Sequence, residues 1–229
     1  MFQSNQINSQ KEERMTPDEL ATFIKVPFAM SIASKRNTGK TMMMTQFIQE
    51  LLKQNKIYMV FVFSNTFHMN GEYDFLPDRC KSPFDPHRLQ ELEELQTSVP
   101  KEKRKQILVV LDDVLGDKSA ENDKTIMRFY ATSRHFGCSI AVLSQIANRV
   151  LSPAVLQNSD YILYSRLNRT QLSNLFEAIT NMDKKLFIKF SETMNKNYTF
   201  IMVDNTIHSN DPKDFLKIVR AKLISPPKE

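Results

Sequence analysis

The amino-acid sequence predicts an α/β protein with a mainly parallel central sheet flanked by helices. Short apolar runs typical of buried parallel strands alternate along the chain with amphipathic helical patterns. The polar octapeptide at 34–41 lies between one apolar run and one helical pattern, and two aspartates end another apolar run. Because open parallel sheets bind ligands at the carboxyl ends of their strands, we expect both features at the same edge of the sheet.

The predicted elements follow from this alternation in chain order. Thr16 has the sequence context of a helix cap, with Pro17 at the first helical position and Glu19 at the third, which predicts a short helix to about Ile24. Apolar, β-forming runs predict five core strands, at 27–33, 57–63, 107–113, 138–144 and 161–165.

Helical spacing of apolar residues predicts the helices that separate these strands. The first follows the octapeptide and has an apolar stripe at Met44, Phe47, Ile48, Leu51 and Leu52. Others are predicted at 87–98 and at 122–134, the latter ended by Gly137. Two further stripes predict helices packed on the sheet near the C-terminus: Leu172, Leu175, Phe176 and Ile179 in one, and Leu186, Phe187, Phe190 and Met194 in the other. A final strand is predicted at 198–203.

The octapeptide at 34–41 has the pattern of a phosphate-binding P-loop. In such a loop, backbone N–H groups and the positive end of the following helix cradle phosphates, a lysine neutralises the β- and γ-phosphate oxygens, and a hydroxyl holds Mg²⁺. Lys40 and Thr41 fit the last two roles. Ser34 replaces the first glycine of the pattern G-x-x-x-x-G-K-[ST], so the loop is expected to turn there without the φ freedom of glycine. The predicted nucleotide-binding residues are Ser34, Lys35, Arg36, Asn37, Thr38, Gly39, Lys40 and Thr41.

The apolar strand at 107–113 ends in two acidic residues and has the form of a Walker B segment. Asp112 is expected to hold Mg²⁺ together with Thr41. Asp113 occupies the position where related ATPases have a glutamate that polarises the attacking water, and aspartate is one methylene shorter. The alternative for Asp113 is a hydrogen-bond acceptor that only supports the site.

Gln145 ends the strand at 138–144, at the edge of the sheet where Ser34 and Asp112 are also expected. A neutral amide at this place senses the γ-phosphate or orients water, and the alternative is a simple hydrogen bond at the end of a strand. The order of elements is that of P-loop ATPases with an additional strand between the two nucleotide-binding strands. For the five core strands this predicts the sheet order 5-1-4-3-2.

Composition limits the class of protein. A chain of 229 residues, 41% of them hydrophobic, is large enough for a sizeable core and small enough for one domain. The net charge of +5 allows an anionic partner without requiring one. Cys80 and Cys138 are two cysteines without zinc-ligand spacing, and no secretory signal or apolar stretch of 18 residues is present. We therefore expect no disulfide scaffold, no secretion and no membrane span.

Three regions are predicted along the chain. Residues 1–15 are polar and are expected to form a mobile arm. Residues 16–205 contain all of the predicted core and form the P-loop ATPase domain. Residues 206–229 are expected to be a polar tail with a short helix near 215–223.

Four segments together resemble a known family: Ser34–Thr41, Leu111–Asp113, Ser133–His135 and Leu143–Gln145. In combination they are similar to the genome-packaging ATPases of large DNA viruses and virophages, the poxvirus-type branch of the FtsK/HerA translocases. The resemblance covers about residues 26–205 and implies a Mg²⁺-dependent ATPase that translocates double-stranded viral DNA into a capsid as a homo-oligomeric ring. It also implies capsid or portal-like vertex proteins as partners, and action in the host cytoplasm, in a viral factory or with the virion.

The resemblance assigns roles residue by residue. It implies that Lys40 and Thr41 contact phosphate and Mg²⁺, that Asp112 is the metal ligand, that Asp113 is the catalytic acid and that Gln145 is the sensor. Arg134 matches the family's position for an arginine finger that completes the site of the neighbouring subunit. Alternative fingers are Arg149, Arg166 and Arg169, and the alternative role for Arg134 is a surface salt bridge.

Two other functions remain open from the sequence. A P-loop nucleotide or small-molecule kinase would use the same phosphate loop, but it would leave Gln145 and Arg134 without a role. A non-motor nucleic-acid-binding NTPase would hydrolyse slowly without stimulation by DNA. If the chain is a translocase, the segments 64–82 and 114–124 are the first places to look for contacts with DNA phosphates.

Overall fold

The computed structural model describes residues 14–114, 124–145, 153–179, 183–194, 196, 198–209 and 211–223. Nine strands lie within them: β1 (Arg14–Met15), β2 (Ala29–Ser34), β3 (Met59–Phe63), β4 (Lys81–Ser82), β5 (Ile107–Asp112), β6 (Cys138–Ser144), β7 (Tyr161–Ser165), β8 (Thr199–Asp204) and β9 (Leu216–Arg220). The described helices are α1 (Pro17–Phe23), α2 (Lys40–Lys53), α3 (Phe67–Asn70), α4 (Pro86–Ser98), α5 (Lys124–Thr132), α6 (Pro153–Asn158), α7 (Arg169–Ile179), α8 (Lys184–Thr193) and α9 (Pro212–Phe215).

The strands form one sheet of order β1-β9-β8-β7-β2-β6-β5-β3-β4. Its central part, β7-β2-β6-β5-β3, is parallel throughout, whereas β8 runs antiparallel to β7 and to β9. This central order is the predicted order 5-1-4-3-2, so both the fold class and the strand order are confirmed. The carboxyl ends of β2, β5 and β6 therefore meet at one edge.

Helices cover both faces of the sheet because alternate strand residues point to opposite sides. On one face, Met30 and Ile32 of β2 lie in a buried cluster with the α2 stripe of Met43, Met44, Phe47, Ile48 and Leu51. On the other face, the cluster includes Val109 and Leu111 of β5 and apolar residues of α4 and α5. A third cluster packs α7 and α8 against β7 and β8. The prediction for α8 is only partly correct, because Phe187 and Met194 are buried but Leu186 is 48% exposed.

The predicted start of α1 is confirmed, because Thr16 and Glu19 form a reciprocal capping box with Pro17 in the first turn. Towards the C-terminus, the predicted helix near 215–223 is wrong over most of its length. The structure has the short helix α9 and then the strand β9, which pairs with β8 in the register Phe200↔Val219. Residues 14 and 15, at the end of the predicted N-terminal arm, pair with β9 as β1, and residues 1–13 lie outside the described part.

Cys80 and Cys138 are both buried free thiols. Burial raises the pKa of the Cys138 thiol to about 12, so this thiol stays protonated at neutral pH. Among the described residues, no helix is long and apolar enough to cross a membrane.

Candidate active site

The P-loop begins directly at the end of β2 and leads into α2. Ser34 is the last residue of β2, is buried and pairs in register with Ser165 of β7, so the chain does not turn at Ser34 as expected. The left-handed positions of the loop are Asn37 and Gly39, with φ of 59° and 88°. Asparagine tolerates this conformation better than most residues, so the loop forms without the usual first glycine.

Contacts of two residues, Thr38 and Tyr198, fix the shape of this loop. The hydroxyl oxygen of Thr38 lies 2.9 Å from Ser34 Oγ and 2.8 Å from the carbonyl oxygen of Lys35, within hydrogen-bond distance of both. Tyr198, itself at φ 60°, donates its backbone N–H to the carbonyl of Thr38 at 3.1 Å. Its ring lies against Gly39, where a Cβ atom would collide with it. Tyr198 is therefore a neighbour of the loop that sequence reasoning did not identify.

Lys40 lies at the start of α2 and connects the P-loop to the acidic end of β5. Its ammonium is 3.2 Å from Asp112 Oδ1 and 2.7 Å from Asp113 Oδ1, and its side chain is 7% exposed. A lysine so deeply buried is stabilised by these two carboxylates. The predicted lysine and both predicted acids thus meet at the carboxyl edge of the sheet.

Asp112 accepts hydrogen bonds on both of its oxygens. Besides Lys40 on Oδ1, Oδ2 accepts from Thr41 Oγ1 at 3.4 Å and from the Tyr73 hydroxyl at 2.8 Å. Burial and the charge of Asp112 raise the pKa of the Tyr73 phenol well above its usual range, so Tyr73 remains a donor. Partial burial and the same charge raise the pKa of the preceding carboxyl, Glu72. Neither residue was predicted, because the segment that contains them has no nucleotide-binding motif.

Asp113 joins the ends of β5 and β6. It has φ of 54°, and its backbone N–H donates to the carbonyl of Leu143 at 3.0 Å. Gln145 donates its backbone N–H to Asp113 Oδ1 at 3.1 Å and its side-chain amide to Oδ2 at 2.7 Å. The predicted sensor and the predicted catalytic acid are therefore in direct contact, while their chemical roles stay predictions.

The residues predicted to hold Mg²⁺ fit that ion. Thr41 and Asp112 offer a hydroxyl and a carboxylate whose oxygens lie 3.4 Å apart, and Mg²⁺ prefers oxygen ligands. In the described part of the chain, no group of three or more His, Cys, Asp and Glu side chains could hold a metal by itself.

Arg134 lies at the opposite edge of the sheet from Lys40. Its guanidinium donates to Asp160 Oδ2 and to the carbonyl of Asn158, both at 2.8 Å, and Asp160 also accepts from the N–H of Ala29 at the start of β2. The length of β2, with about 3.3 Å per residue, separates the two edges by roughly 17 Å. Arg134 therefore does not reach the P-loop of the same chain.

The alternative arginines differ from one another in their surroundings. Arg166 directly follows β7 at the carboxyl edge, with φ of 55°. Arg169 is exposed and its Nε is 2.8 Å from Glu192 Oε1. Arg149 lies outside the described residues.

Replacing each aspartate by asparagine should separate their roles. We expect Asp113→Asn to bind MgATP and hydrolyse it about 100-fold more slowly, since the carboxylate next to Gln145 is lost. We expect Asp112→Asn to weaken the binding of ATP in Mg²⁺ but not in EDTA. Calorimetric titration and single-turnover hydrolysis would measure both. Equal loss of nucleotide affinity in the two variants would contradict this division.

Comparisons with known proteins place the chain in a family. The family model described as "Poxvirus A32 protein" matches residues 17–222. An uncharacterised protein, 015R of Frog virus 3 (isolate Goorha), is 24% identical over 182 residues, which cover 76% of this chain and 56% of that protein. The chain thus spans just over half of the length of this curated relative.

Solved structures with the same fold include proteins of two Sulfolobus viruses. B204, the DNA-packaging ATPase of Sulfolobus turreted icosahedral virus, matches with a TM-score of 0.62 and 14% identity over 87% of this chain and all of that one. The genome-packaging NTPase B204 of Sulfolobus turreted icosahedral virus 2, in complex with AMPPCP, matches with a TM-score of 0.60 and 15% identity over 86% of this chain and 98% of that one. These likenesses show the fold, and the family match over 17–222 confirms the predicted relation to poxvirus-type proteins. The chain belongs to the Poxvirus A32 protein family.

Proposed function

We propose that the chain is a Mg²⁺-dependent ATPase that translocates double-stranded DNA during viral genome packaging. The observation that supports this most is the meeting of Lys40, Thr41, Asp112, Asp113 and Gln145 at one edge of the sheet. The similar fold of B204, whose described role is DNA packaging, supports a packaging role for this chain. Action in the host cytoplasm, in a viral factory or with the virion, and contact with capsid or portal-like vertex proteins, belong to the same proposal.

In the proposed mechanism, the backbone of Ser34–Gly39 and the N-terminus of α2 bind the phosphates of ATP. The ammonium of Lys40 turns from Asp113 to the β- and γ-phosphate oxygens, which removes it from Asp113 Oδ1 while the backbone N–H of Gln145 stays there. Asp113, held by Gln145, then accepts a hydrogen bond or the proton from the attacking water. The water oxygen forms a bond to the γ-phosphorus while the bond from the γ-phosphorus to the β–γ bridging oxygen breaks, and its electron pair leaves with ADP. Bound Mg²⁺, held by Thr41 and Asp112, would supply positive charge at the phosphate oxygens.

We further propose that the subunits form a homo-oligomeric ring in which Arg134 acts on the neighbouring site. Its position at the far edge of the sheet from Lys40 supports a role in trans rather than in cis. A guanidinium brought to a neighbour's γ-phosphate would stabilise the charge of the transition state and make hydrolysis depend on assembly. To do so, it would have to release or share its contact with Asp160.

The charges of the two segments considered for DNA contact give no support to a role in gripping phosphates. Segment 64–82 has three acidic residues against Arg79 and Lys81, and 114–124 likewise has three acidic against two basic residues. Lys81 is also buried beside Asp74 and Asp78. By contrast, the run 101–105 has four basic side chains and one acidic side chain, and it is largely exposed.

Binding to duplex DNA should tolerate sequence and weaken steeply with salt, since a translocase holds phosphates rather than bases. Fluorescence anisotropy with two unrelated duplexes over a range of salt concentrations would test this. The run 101–105 is a candidate for contact with the DNA phosphates. If it makes this contact, the double variant Lys101→Ala, Lys103→Ala should make the slope of log binding constant against log salt concentration shallower by about 2. Affinity that is insensitive to salt, or confined to one duplex, would favour the non-motor NTPase instead.

The kinase alternative is less well supported by the geometry. A kinase transfers the γ-phosphate to a second substrate and so needs to exclude water, whereas the contacts of Asp113 with Gln145 suit the positioning of water. The DNA-binding measurement separates a kinase from a translocase, because a small-molecule kinase has no reason to bind duplexes.

A further inference from the structure

The hydroxyl of Tyr73 contacts the proposed metal ligand from a segment outside the P-loop and the Walker B strand. It lies 2.8 Å from Asp112 Oδ2, and Tyr73 is 1% exposed. A tyrosine buried as hydrophobic core could place its hydroxyl towards any polar neighbour. Here the neighbour is the carboxylate on which binding of Mg²⁺ is proposed to depend.

The three partners of Asp112 differ in what ATP binding would require of them. Lys40 donates to Oδ1 at 3.2 Å, and it is the residue expected to turn to the phosphates. Thr41 approaches Oδ2 at 3.4 Å, and its hydroxyl is expected to bind Mg²⁺. Tyr73 has no other proposed task. It is therefore the partner that can hold the carboxylate while the other two engage MgATP.

The position of the Tyr73 hydroxyl is fixed by the segment around it. The carbonyl of the preceding residue, Glu72, accepts from Thr45 Oγ1 of α2 at 3.3 Å. The carbonyl of Tyr73 accepts from the N–H of Leu76 at 3.0 Å, and Leu76 is itself buried. The ring of Tyr73 belongs to the same apolar cluster as the α2 stripe. The helix that begins with Lys40 and Thr41 therefore also anchors the residue that holds Asp112.

We propose that Tyr73 is a positioning residue that orients the carboxylate of Asp112 for Mg²⁺, a role that rests on the proposed function. Groups that hydrogen-bond to a metal-ligating carboxylate typically change metal affinity or activity by about 10- to 100-fold when they are removed. We expect the lower end of this range for Tyr73→Phe, because the substitution removes one hydrogen bond and leaves the carboxylate of Asp112 itself in place.

The test compares Tyr73→Phe with Tyr130→Phe in the full chain. Both changes remove one hydroxyl from a fully buried ring, and Tyr130 contacts Ser159 at 2.7 Å, away from the P-loop. The affinity of each protein for AMPPCP would be measured by calorimetry in MgCl₂ and in EDTA, together with the Mg²⁺ concentration that half-saturates ATP hydrolysis. The ratio of the AMPPCP affinity in MgCl₂ to that in EDTA is taken within each protein, so differences in stability between the proteins do not affect it. Thermal shifts with and without Mg²⁺ give the same comparison for a variant of low stability.

We expect Tyr73→Phe to bind AMPPCP in EDTA with the affinity of the parent. The factor by which Mg²⁺ increases this affinity should be about tenfold smaller than in the parent, and half-saturation of hydrolysis should need about tenfold more Mg²⁺. Tyr130→Phe should match the parent in its affinity in EDTA, in the increase in affinity due to Mg²⁺ and in the Mg²⁺ concentration that hydrolysis requires. If Mg²⁺ strengthens binding equally in the parent and in Tyr73→Phe, Tyr73 has no positioning role and the proposed function is unaffected. A parent protein that binds AMPPCP equally with and without Mg²⁺ would overturn the proposed function, and the role of Tyr73 with it.

Discussion

Replacing Lys40 by alanine should lower the rate of ATP hydrolysis by about 100- to 1000-fold, the range found when one positioned electrostatic contact is removed from a catalytic site. Two effects combine in this variant. The charge that neutralises the β- and γ-phosphate oxygens is lost, and Asp112 and Asp113 keep their negative charges beside the phosphates without the ammonium between them. Nucleotide affinity should therefore fall together with turnover. Steady-state hydrolysis and calorimetric titration of ATP would measure the two losses.

Lys53→Ala is the matched control for this variant. Lys53 ends the same helix, α2, but its side chain is 74% exposed and pairs with Glu50 across one turn. Exposed pairs of this kind contribute little to stability, so Lys53→Ala should hydrolyse ATP at the parent rate. Circular dichroism of both variants would establish that each is folded. Equal turnover in Lys40→Ala and the parent would contradict the prediction that residues 34–41 form a phosphate-binding P-loop.

Arg134→Ala should reduce hydrolysis by about 1000-fold or more, the lower end of the range for arginine fingers supplied to a phosphoryl-transfer site. Because Arg134 lies far from the P-loop of its own subunit, the affinity of that subunit for ATP should stay at the parent value. Single-turnover hydrolysis at saturating ATP would isolate this loss in the chemical step. Reduced ATP affinity with an unchanged rate constant would contradict a finger.

Asp160→Asn separates a catalytic role of Arg134 from a structural one. Asp160 is the carboxylate partner of Arg134, and it also accepts the N–H of Ala29, so either substitution disturbs the same ion pair. Hydrogen bonds to charged groups are worth about 1.5–3 kcal/mol, so both variants should be less stable than the parent. If Arg134 is a finger, Asp160→Asn should retain most of the hydrolysis that Arg134→Ala loses. Equal loss in both variants would mean that Arg134 only holds the fold.

The parallel core was predictable because its signals are local. Buried parallel strands appear in a sequence as continuous apolar runs. In this chain each run is followed by a polar segment or by an apolar stripe with helical spacing. The strand β9 was missed for the same reason. Phe215, Ile218, Val219 and Leu223 have helical spacing, whereas the observed strand is stabilised by pairing with β8, which is not visible in the local pattern.

The residues of the candidate site likewise differ in whether a local sequence signal predicts them. Five residues were predictable because each lies in a loop motif that follows a predicted strand or at the carboxyl end of such a strand: Lys40, Thr41, Asp112, Asp113 and Gln145. Tyr73 and Tyr198 come from other parts of the chain and reach the site through tertiary packing. Arg134 was predictable as part of a motif, but its distance from Lys40 follows from the arrangement of the strands.

Mixing Arg134→Ala with Lys40→Ala subunits tests most directly the claim that ATP is hydrolysed at sites shared between subunits of a ring. The first variant keeps an intact P-loop, and the second keeps an intact arginine, so each supplies what the other lacks. We expect the mixture to hydrolyse ATP in the presence of duplex DNA far faster than either variant alone, with a maximum at intermediate ratios. Activity that stays at the level of the separate variants at every ratio, while labelled subunits are seen to exchange, would contradict the ring mechanism.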